Sequence, residues 1–338
     1  MIEKIYTHTN FTFESGQSIE KLDLVYHISS NYDLNKKVVW ICHALTANSN
    51  PTEWWKELVG AGKLIDPDKY NVICVNNLGS PYGSSGPASI DPKTGNPYYF
   101  TFPEITIGDV VNSFAVVRKH LGINKIDFLI GCSVGGFNAM EWCVREPDVI
   151  ERAAFIACGY RVSPWLSAHN ESMRMALEAD SSFREAKSLN GGKNGLKCAR
   201  SIALISYRSY EGYNLTQAED DKDCVFAKKA GSYQRYQGEK LAARFDAYSY
   251  YYSVNTCDSG NIGRGRGSCE KGLSTIKAQT VVVGTDSDNL FPTTEQKFIA
   301  KHIPNAEYRE ISSKFGHDGF LIEYEQLETI LKTLLFSA

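Results

Sequence analysis

Six short stretches of almost unbroken apolar residues punctuate the chain, at 22–28, 38–42, 72–76, 126–130, 153–157 and 280–284. Runs of this length suit strands of a parallel sheet covered on both faces, where neither row of side chains meets water. Between them the period changes. Ile107, Val110, Val111, Phe114, Val117 and Leu121 recur at three- and four-residue steps. They predict one apolar helix face, which Gly122 then stops. A helical stretch at 294–303 and a strand-like one at 308–311 carry the alternation toward the C-terminus. Strand alternating with helix predicts an α/β fold on a mainly parallel sheet.

The pattern breaks after Gly159. From Ser163 to Ser268 there is helical and polar material but no clear buried strand, with helices expected at 174–186 and 195–206 and a segment dense in Tyr and Arg at 232–252. Strand-helix alternation resumes at Thr280. An insertion explains this better than two tandem domains. The expected organisation is a core from residues 1–162 and 271–338, interrupted by a helical cap at 163–270. No internal repeat or low-complexity tract is visible.

At roughly 150 residues per domain, 338 residues fit two units or one large α/β domain with an insertion. Hydrophobic residues at 43% and charged residues at 22% exclude a disordered or fibrous chain. A net charge of -3 argues against nucleic acid as a partner. No apolar run approaches the roughly 20 residues of a membrane helix, and the start carries no apolar signal core. Nine scattered cysteines, without CxxC pairs or metal spacing, read as reduced thiols in the cytoplasm. The sequons at Asn10, Asn170 and Asn214 then carry no meaning.

The chemistry is concentrated at residues 126–146. An apolar strand runs into Gly131-Cys132-Ser133-Val134-Gly135-Gly136, and a helix follows. This is G-x-S-x-G between strand and helix, the setting of a nucleophile on a strained turn. Cys132 is a rival by chemistry, but its side chain leaves the turn one residue early, into the core. A serine hydroxyl needs a base. In this fold the partners follow in the order Ser, Asp, His. Only two of the seven histidines lie far downstream: His302, in the last turn of a helix, and His317, in Gly316-His317-Asp318-Gly319 on a loop after 308–311. The loop position suits the base. The acid belongs after the strand at 280–284, where Asp286 and Asp288 both qualify and spacing does not separate them. One oxyanion donor is the amide of Val134; the other belongs to the loop His43-Ala44-Leu45-Thr46. His43 itself reads as a structural histidine holding that loop.

Several blocks together resemble the homoserine O-acyltransferase family of the α/β-hydrolases, in its acetyltransferase branch. They are Cys42-His43-Ala44-Leu45-Thr46; Asn76-Asn77-Leu78-Gly79 with Tyr82-Gly83-Ser84-Ser85-Gly86-Pro87; Gly131 to Gly136 with Glu141-Trp142; Arg235-Tyr236-Gln237-Gly238-Glu239-Lys240; Ser287-Asp288 with Leu290-Phe291-Pro292; and Gly316-His317-Asp318. They span nearly the whole chain. The resemblance implies an α/β-hydrolase fold and a triad of Ser133, Asp288 and His317, choosing Asp288 over Asp286. It implies oxyanion amides at Leu45 and Val134, and Arg200 and Asp318 as ligands of a zwitterionic amino acid. It also implies a homodimer formed through the cap, acetyl-CoA as co-substrate, L-homoserine as acceptor, and no metal or bound cofactor. The product would feed methionine synthesis.

Two departures stand out: Val134 where the family usually has Met, and Cys132 where Gly is common. Neither removes the backbone N–H. The basic run Gly263-Arg264-Gly265-Arg266-Gly267 is expected to be a cap loop meeting the phosphates of coenzyme A. Sequence leaves open succinyl-CoA as donor and serine as acceptor. It also leaves open an ester or thioester hydrolase with the same triad, and a non-catalytic scaffold.

Overall fold

The computed structural model describes residues 1–336. Among them, one eight-stranded sheet runs in the order β1-β2-β4-β3-β5-β6-β7-β8. The strands are β1 (Ile2–Thr12), β2 (Ser18–Ile28), β3 (Val38–Cys42), β4 (Asn71–Val75), β5 (Ile126–Cys132), β6 (Ile150–Ile156), β7 (Gln279–Thr285) and β8 (Ala306–Ile311). β1 pairs with β2 and β2 with β4 antiparallel. From β4 across to β8 every pairing is parallel. The sheet is thus mainly parallel, and its central strands β3 and β4 are buried along their whole length.

Two differences from the sequence expectation concern the edges. β1 was not anticipated, because its residues are mostly exposed and show no apolar run. It is held by a ten-pair register against β2, and long-range ladder hydrogen bonds substitute for burial there. β2 starts at Ser18 rather than at 22 for the same reason.

The sheet is covered on both faces. The chain-order helices are α1 (Pro51–Trp54), α2 (Ile107–His120), α3 (Val134–Arg145), α4 (Pro164–Glu178), α5 (Ser181–Glu185), α6 (Lys193–Tyr207), α7 (Tyr210–Gln217), α8 (Lys229–Ala242), α9 (Ala247–Asp258), α10 (Cys269–Ser274), α11 (Thr293–His302), α12 (Gly319–Ile322) and α13 (Tyr324–Phe336). On one face Trp40, Phe114 and Trp142 meet beneath α2 and α3. On the other, Trp55, Phe320, Leu327 and Leu331 pack against Val39, Ile41 and Ile130. Burying a large side chain of this kind contributes about 1.5–3 kcal/mol. The start of α2 is a capping box: the Thr106 side chain accepts from the Asp109 amide and Asp109 accepts from the Thr106 amide.

Between β6 and β7 lie α4 to α10. Of these, α4, α5, α6, α8 and α9 share a core of their own, which includes Leu177, Phe183, Leu196, Leu241, Tyr248 and Tyr250. The helix expected at 174–186 is in fact two, broken at Ala179 and Asp180. Asp180 takes hydrogen bonds from the amides of Ser182, Asn194 and Gly195, so its side chain caps α5 and the first turn of α6 instead of continuing a helix. Gly238, within the Arg235–Lys240 run, lets α8 lie against the backbone of Lys197 on α6, where a Cβ would come within 2.9 Å of the Lys197 carbonyl oxygen.

Candidate active site

Ser133 occupies the turn between β5 and α3 with φ 56° and ψ -124°, a left-side conformation that L-residues adopt at a cost of order 1–3 kcal/mol. Two glycines make the turn possible. A Cβ on Gly131 would lie 2.2 Å from the Gly135 carbonyl oxygen, and one on Gly135 would lie 2.0 Å from the Cys42 carbonyl oxygen. The first turn of α3 is therefore pressed directly against the end of β3 and the loop that follows it. Val134 opens the helix, where backbone N–H groups lack intrahelical partners and favour negative charge. Cys132 points into the core and is fully buried; burial pushes its thiol pKa well above the ordinary value, so it stays protonated.

His317 stands in a 3₁₀ turn after β8. Its Nε2 lies 2.9 Å from Ser133 Oγ and its Nδ1 2.7 Å from Asp288 Oδ2. Burial opposes its cation, yet the adjacent Asp288 carboxylate, with Asp318 behind it, raises its pKa above the ordinary imidazole value. The rings of Phe291, Phe320 and Tyr207 enclose the imidazole at 5.3 to 5.7 Å between centroids. Asp288 is fixed in turn: its Oδ1 accepts from the amides of Leu290 and Phe291 at 2.8 and 2.9 Å. Asp286 faces elsewhere, accepting from Ser312 Oγ and the Ser313 amide. It ties the end of β8 to the end of β7. Geometry thus separates the two aspartates that spacing left equal.

The loop after β3 is shaped by His43. Its Nε2 accepts from the Asn77 amide at 3.1 Å, so the proton sits on Nδ1, which donates to the Ala44 carbonyl at 2.8 Å. Burial lowers its pKa to about 4, which keeps the ring neutral and this tautomer in place. In a trans peptide the C=O and N–H point in opposite directions. Anchoring the Ala44 oxygen therefore aims the Leu45 N–H away from His43. Leu45 and Ser133 line the same cavity of about 190 Å³, together with Trp54, Arg200, Tyr207, Arg244, His317, Asp318 and Leu321.

Arg200 and Asp318 both reach this cavity. Arg200 lies over the Tyr207 ring at 5.5 Å. Asp318 has a protein partner, Arg208, whose Nε is 2.8 Å from Oδ2. Burial raises the Asp318 pKa, against the pull of Arg208, His317 and Arg200. Sequence reasoning missed Tyr207, which ends α6 two turns after Arg200, Arg208, which follows it, and Arg244; the helical spacing of Arg200 and Tyr207 was the one available signal. His302 is remote from this chemistry: its Nδ1 bonds the Phe298 carbonyl in α11. The basic run at 263–267 does not border the cavity. Arg264 pairs with Glu14, and Arg266 forks onto both oxygens of Glu141, so both guanidinium groups are engaged by carboxylates. Among the described residues, no helix is long and apolar enough to cross a membrane.

The sequence profile of the alpha/beta hydrolase fold matches residues 37–324. The chain is similar to a protein named homoserine O-acetyltransferase from Cyclobacterium marinum, 43% identical over 98% of this chain and 94% of that one. It is similar to another of that name from Nostoc punctiforme, 37% identical over 95% and 92%. A crystal structure of homoserine O-acetyltransferase from Bacillus anthracis superposes with a TM-score of 0.90 over 99% of this chain and 97% of that one, at 24% identity.

Proposed function

The chain belongs to the homoserine O-acetyltransferase family of the α/β-hydrolases, and from that membership we propose that Ser133, His317 and Asp288 carry its acyl transfer. The enzyme moves an acetyl group from acetyl-CoA to the hydroxyl of L-homoserine, giving O-acetyl-L-homoserine for methionine synthesis. The observation that carries the assignment of roles is the unbroken chain of contacts from Ser133 Oγ through His317 to Asp288, 2.9 and 2.7 Å, at the wall of a small cavity.

In the first half-reaction Ser133 Oγ attacks the thioester carbonyl while its proton passes to His317 Nε2. The oxyanion is held by the amides of Leu45 and Val134. Collapse breaks the C–S bond, and the departing thiolate takes the proton from His317. In the second half-reaction His317 removes the hydroxyl proton of homoserine, whose oxygen attacks the acyl carbon. Collapse returns the electron pair and the proton to Ser133 Oγ. Asp288 keeps Nδ1 protonated and stabilises the imidazolium in both halves. Arg200 suits the acceptor's carboxylate and Asp318 its ammonium. A cavity of about 190 Å³ has room for an acetyl group and a small amino acid but not for a nucleotide. We therefore infer that most of acetyl-CoA, a co-substrate and not a resident cofactor, stays outside it.

Residues 163–270 are inferred to act as a cap that keeps water from the acyl-enzyme. A cytoplasmic homodimer belongs to the same proposal. Unpaired cysteines suit a reducing compartment, and the exposed Tyr210, Leu215, Val225 and Phe226 offer an apolar surface to a second copy.

The test is thiol release from acetyl-CoA and succinyl-CoA, each with and without L-homoserine. The expected result is release that depends on homoserine and is faster with the acetyl donor. Release that ignores the amino acid would convert the reading to that of a thioester hydrolase.

A further inference from the structure

One cation on the cavity wall has no part in the steps above. Arg244 lies in the connection between α8 and α9 and lines the cavity beside Thr46. Its Nη1 donates to the Thr46 carbonyl at 2.6 Å and to the phenolic oxygen of Tyr82. That nitrogen carries two hydrogens, so one atom serves both acceptors at once. The contacts span 198 and 162 residues of sequence. They join the inserted helices to two separate loops of the core.

The Thr46 carbonyl is a significant place to grip. Ala47 N–H donates to the Ala44 carbonyl at 3.0 Å, closing a tight turn with Leu45 and Thr46 at its corners. His43 holds the same Ala44 oxygen from the core side. The peptide that carries the Leu45 N–H is thus anchored below by His43, and the turn's other corner is anchored above by Arg244. Tyr82 is itself braced. Its carbonyl accepts from Asn76 Nδ2 at 2.7 Å, and Asn76 Oδ1 accepts from the Ser49 amide at 2.6 Å, further along the same loop. The Phe245 ring, next to Arg244 in sequence, packs edge-on against Tyr82 at 5.7 Å.

We propose that Arg244 is a positioning residue that couples seating of the cap to the orientation of the Leu45 amide, so that the oxyanion hole is complete only while the cap is closed. The inference rests on the triad reading above. Its physical basis is that oxyanion donors stabilise a tetrahedral intermediate only when held in the correct direction before charge develops. A four-residue turn gripped at one corner alone retains freedom at the other. An acyl-enzyme formed under an open cap would be lost to water; a donor site assembled by cap closure avoids that outcome.

The experiment compares wild type, Arg244→Gln, Arg244→Lys and Tyr82→Phe with two acyl donors. p-Nitrophenyl acetate lacks the coenzyme, so its burst reports acylation of Ser133 without recognition of the nucleotide. Arg244→Gln is expected to slow acylation about 10- to 100-fold with both donors, with the KM for acetyl-CoA little changed. Arg244→Lys should recover part of the rate, and Tyr82→Phe should fall between it and wild type, since the ring packing survives. Circular dichroism melting confirms that each variant is folded. A normal p-nitrophenyl acetate burst in Arg244→Gln overturns the proposal. If the acetyl-CoA KM alone rose, Arg244 would be a coenzyme-phosphate contact instead. A wild-type enzyme with no burst, or a Ser133→Ala variant that keeps it, would remove the triad reading itself and this inference with it.

Discussion

Two aspartates two residues apart illustrate what a carboxylate does at this site. Asp288 directs one oxygen at His317 and the other at two backbone amides. Asp286 directs both oxygens at the chain after β8. Asp288→Asn leaves the shape but offers an amide where the imidazole N–H needs an acceptor, so Nδ1 loses its proton and Nε2 gains it. Turnover should fall about 10³- to 10⁴-fold. Asp286→Asn keeps one acceptor oxygen for the Ser313 amide and should cost less than about tenfold in kcat. Steady-state kinetics on the two variants side by side checks this, and equal losses would contradict it. At this scale the sequence carried Ser133 and His317, since glycines mark both turns. Spacing did not separate the aspartates, because direction in a loop is a three-dimensional property; only the family resemblance favoured Asp288.

At the scale of elements, the arginines at 264 and 266 show why a basic run is a poor guide on its own. Arg266 forks onto Glu141 of α3, Arg145 of α3 bonds both Glu141 and Glu14, and Arg264 bonds Glu14. The five side chains bind the segment leaving the inserted helices to the helix that follows Ser133 and to the β1–β2 connection. Glu141 is nearly buried, at 6% exposure, so removing Arg266 leaves a poorly compensated charge. Arg266→Ala should lower the unfolding free energy by about 2 kcal/mol, less than for a fully orphaned ion because Arg145 remains, and chemical denaturation measures it. Apart from the Glu141–Arg145 pair within α3, the partners of this network sit more than a hundred residues apart, and no local pattern announces them. The helix break at Asp180 has the same character, since one of its three amide donors is adjacent but the others belong to α6.

For the whole molecule, two acids shift in opposite directions and act on opposite sides of pH 4.5. Burial opposes ionisation of Glu14, but hydrogen bonds from Thr106, Arg145 and Arg264 prevail and lower its pKa from 4.5 to about 2. Its stabilising contribution is present above pH 4.5 and is lost as the pH falls from there toward 2. Glu295, in α11, is raised from 4.5 to about 7 by burial and by the charge of Asp288, against Arg161. Its Oε2 has no hydrogen-bond partner among the described residues. Folded protein therefore holds a proton that the unfolded chain has released, and stability declines as the pH rises from about 4.5 through 7. Glu295→Gln should flatten that decline. Melting temperatures from pH 5 to 8 are expected to fall more steeply in wild type than in the variant; parallel curves would refute the idea.

Local sequence was sufficient for the buried strands, the parallel core, the strained serine turn and the histidine loop. Each of these depends on residues adjacent in the chain: apolar runs, glycines at fixed offsets, a period of 3.6. Tertiary structure alone decided the edge strand β1, whose register comes from pairing and not from burial, the directions in which Asp288 and Asp286 point, the ion pair of Asp318 with Arg208, and the grip of Arg244 on Thr46. Those contacts join distant parts of the chain, and their strength depends on distance, angle and exclusion of water, none of which a linear pattern of residues contains.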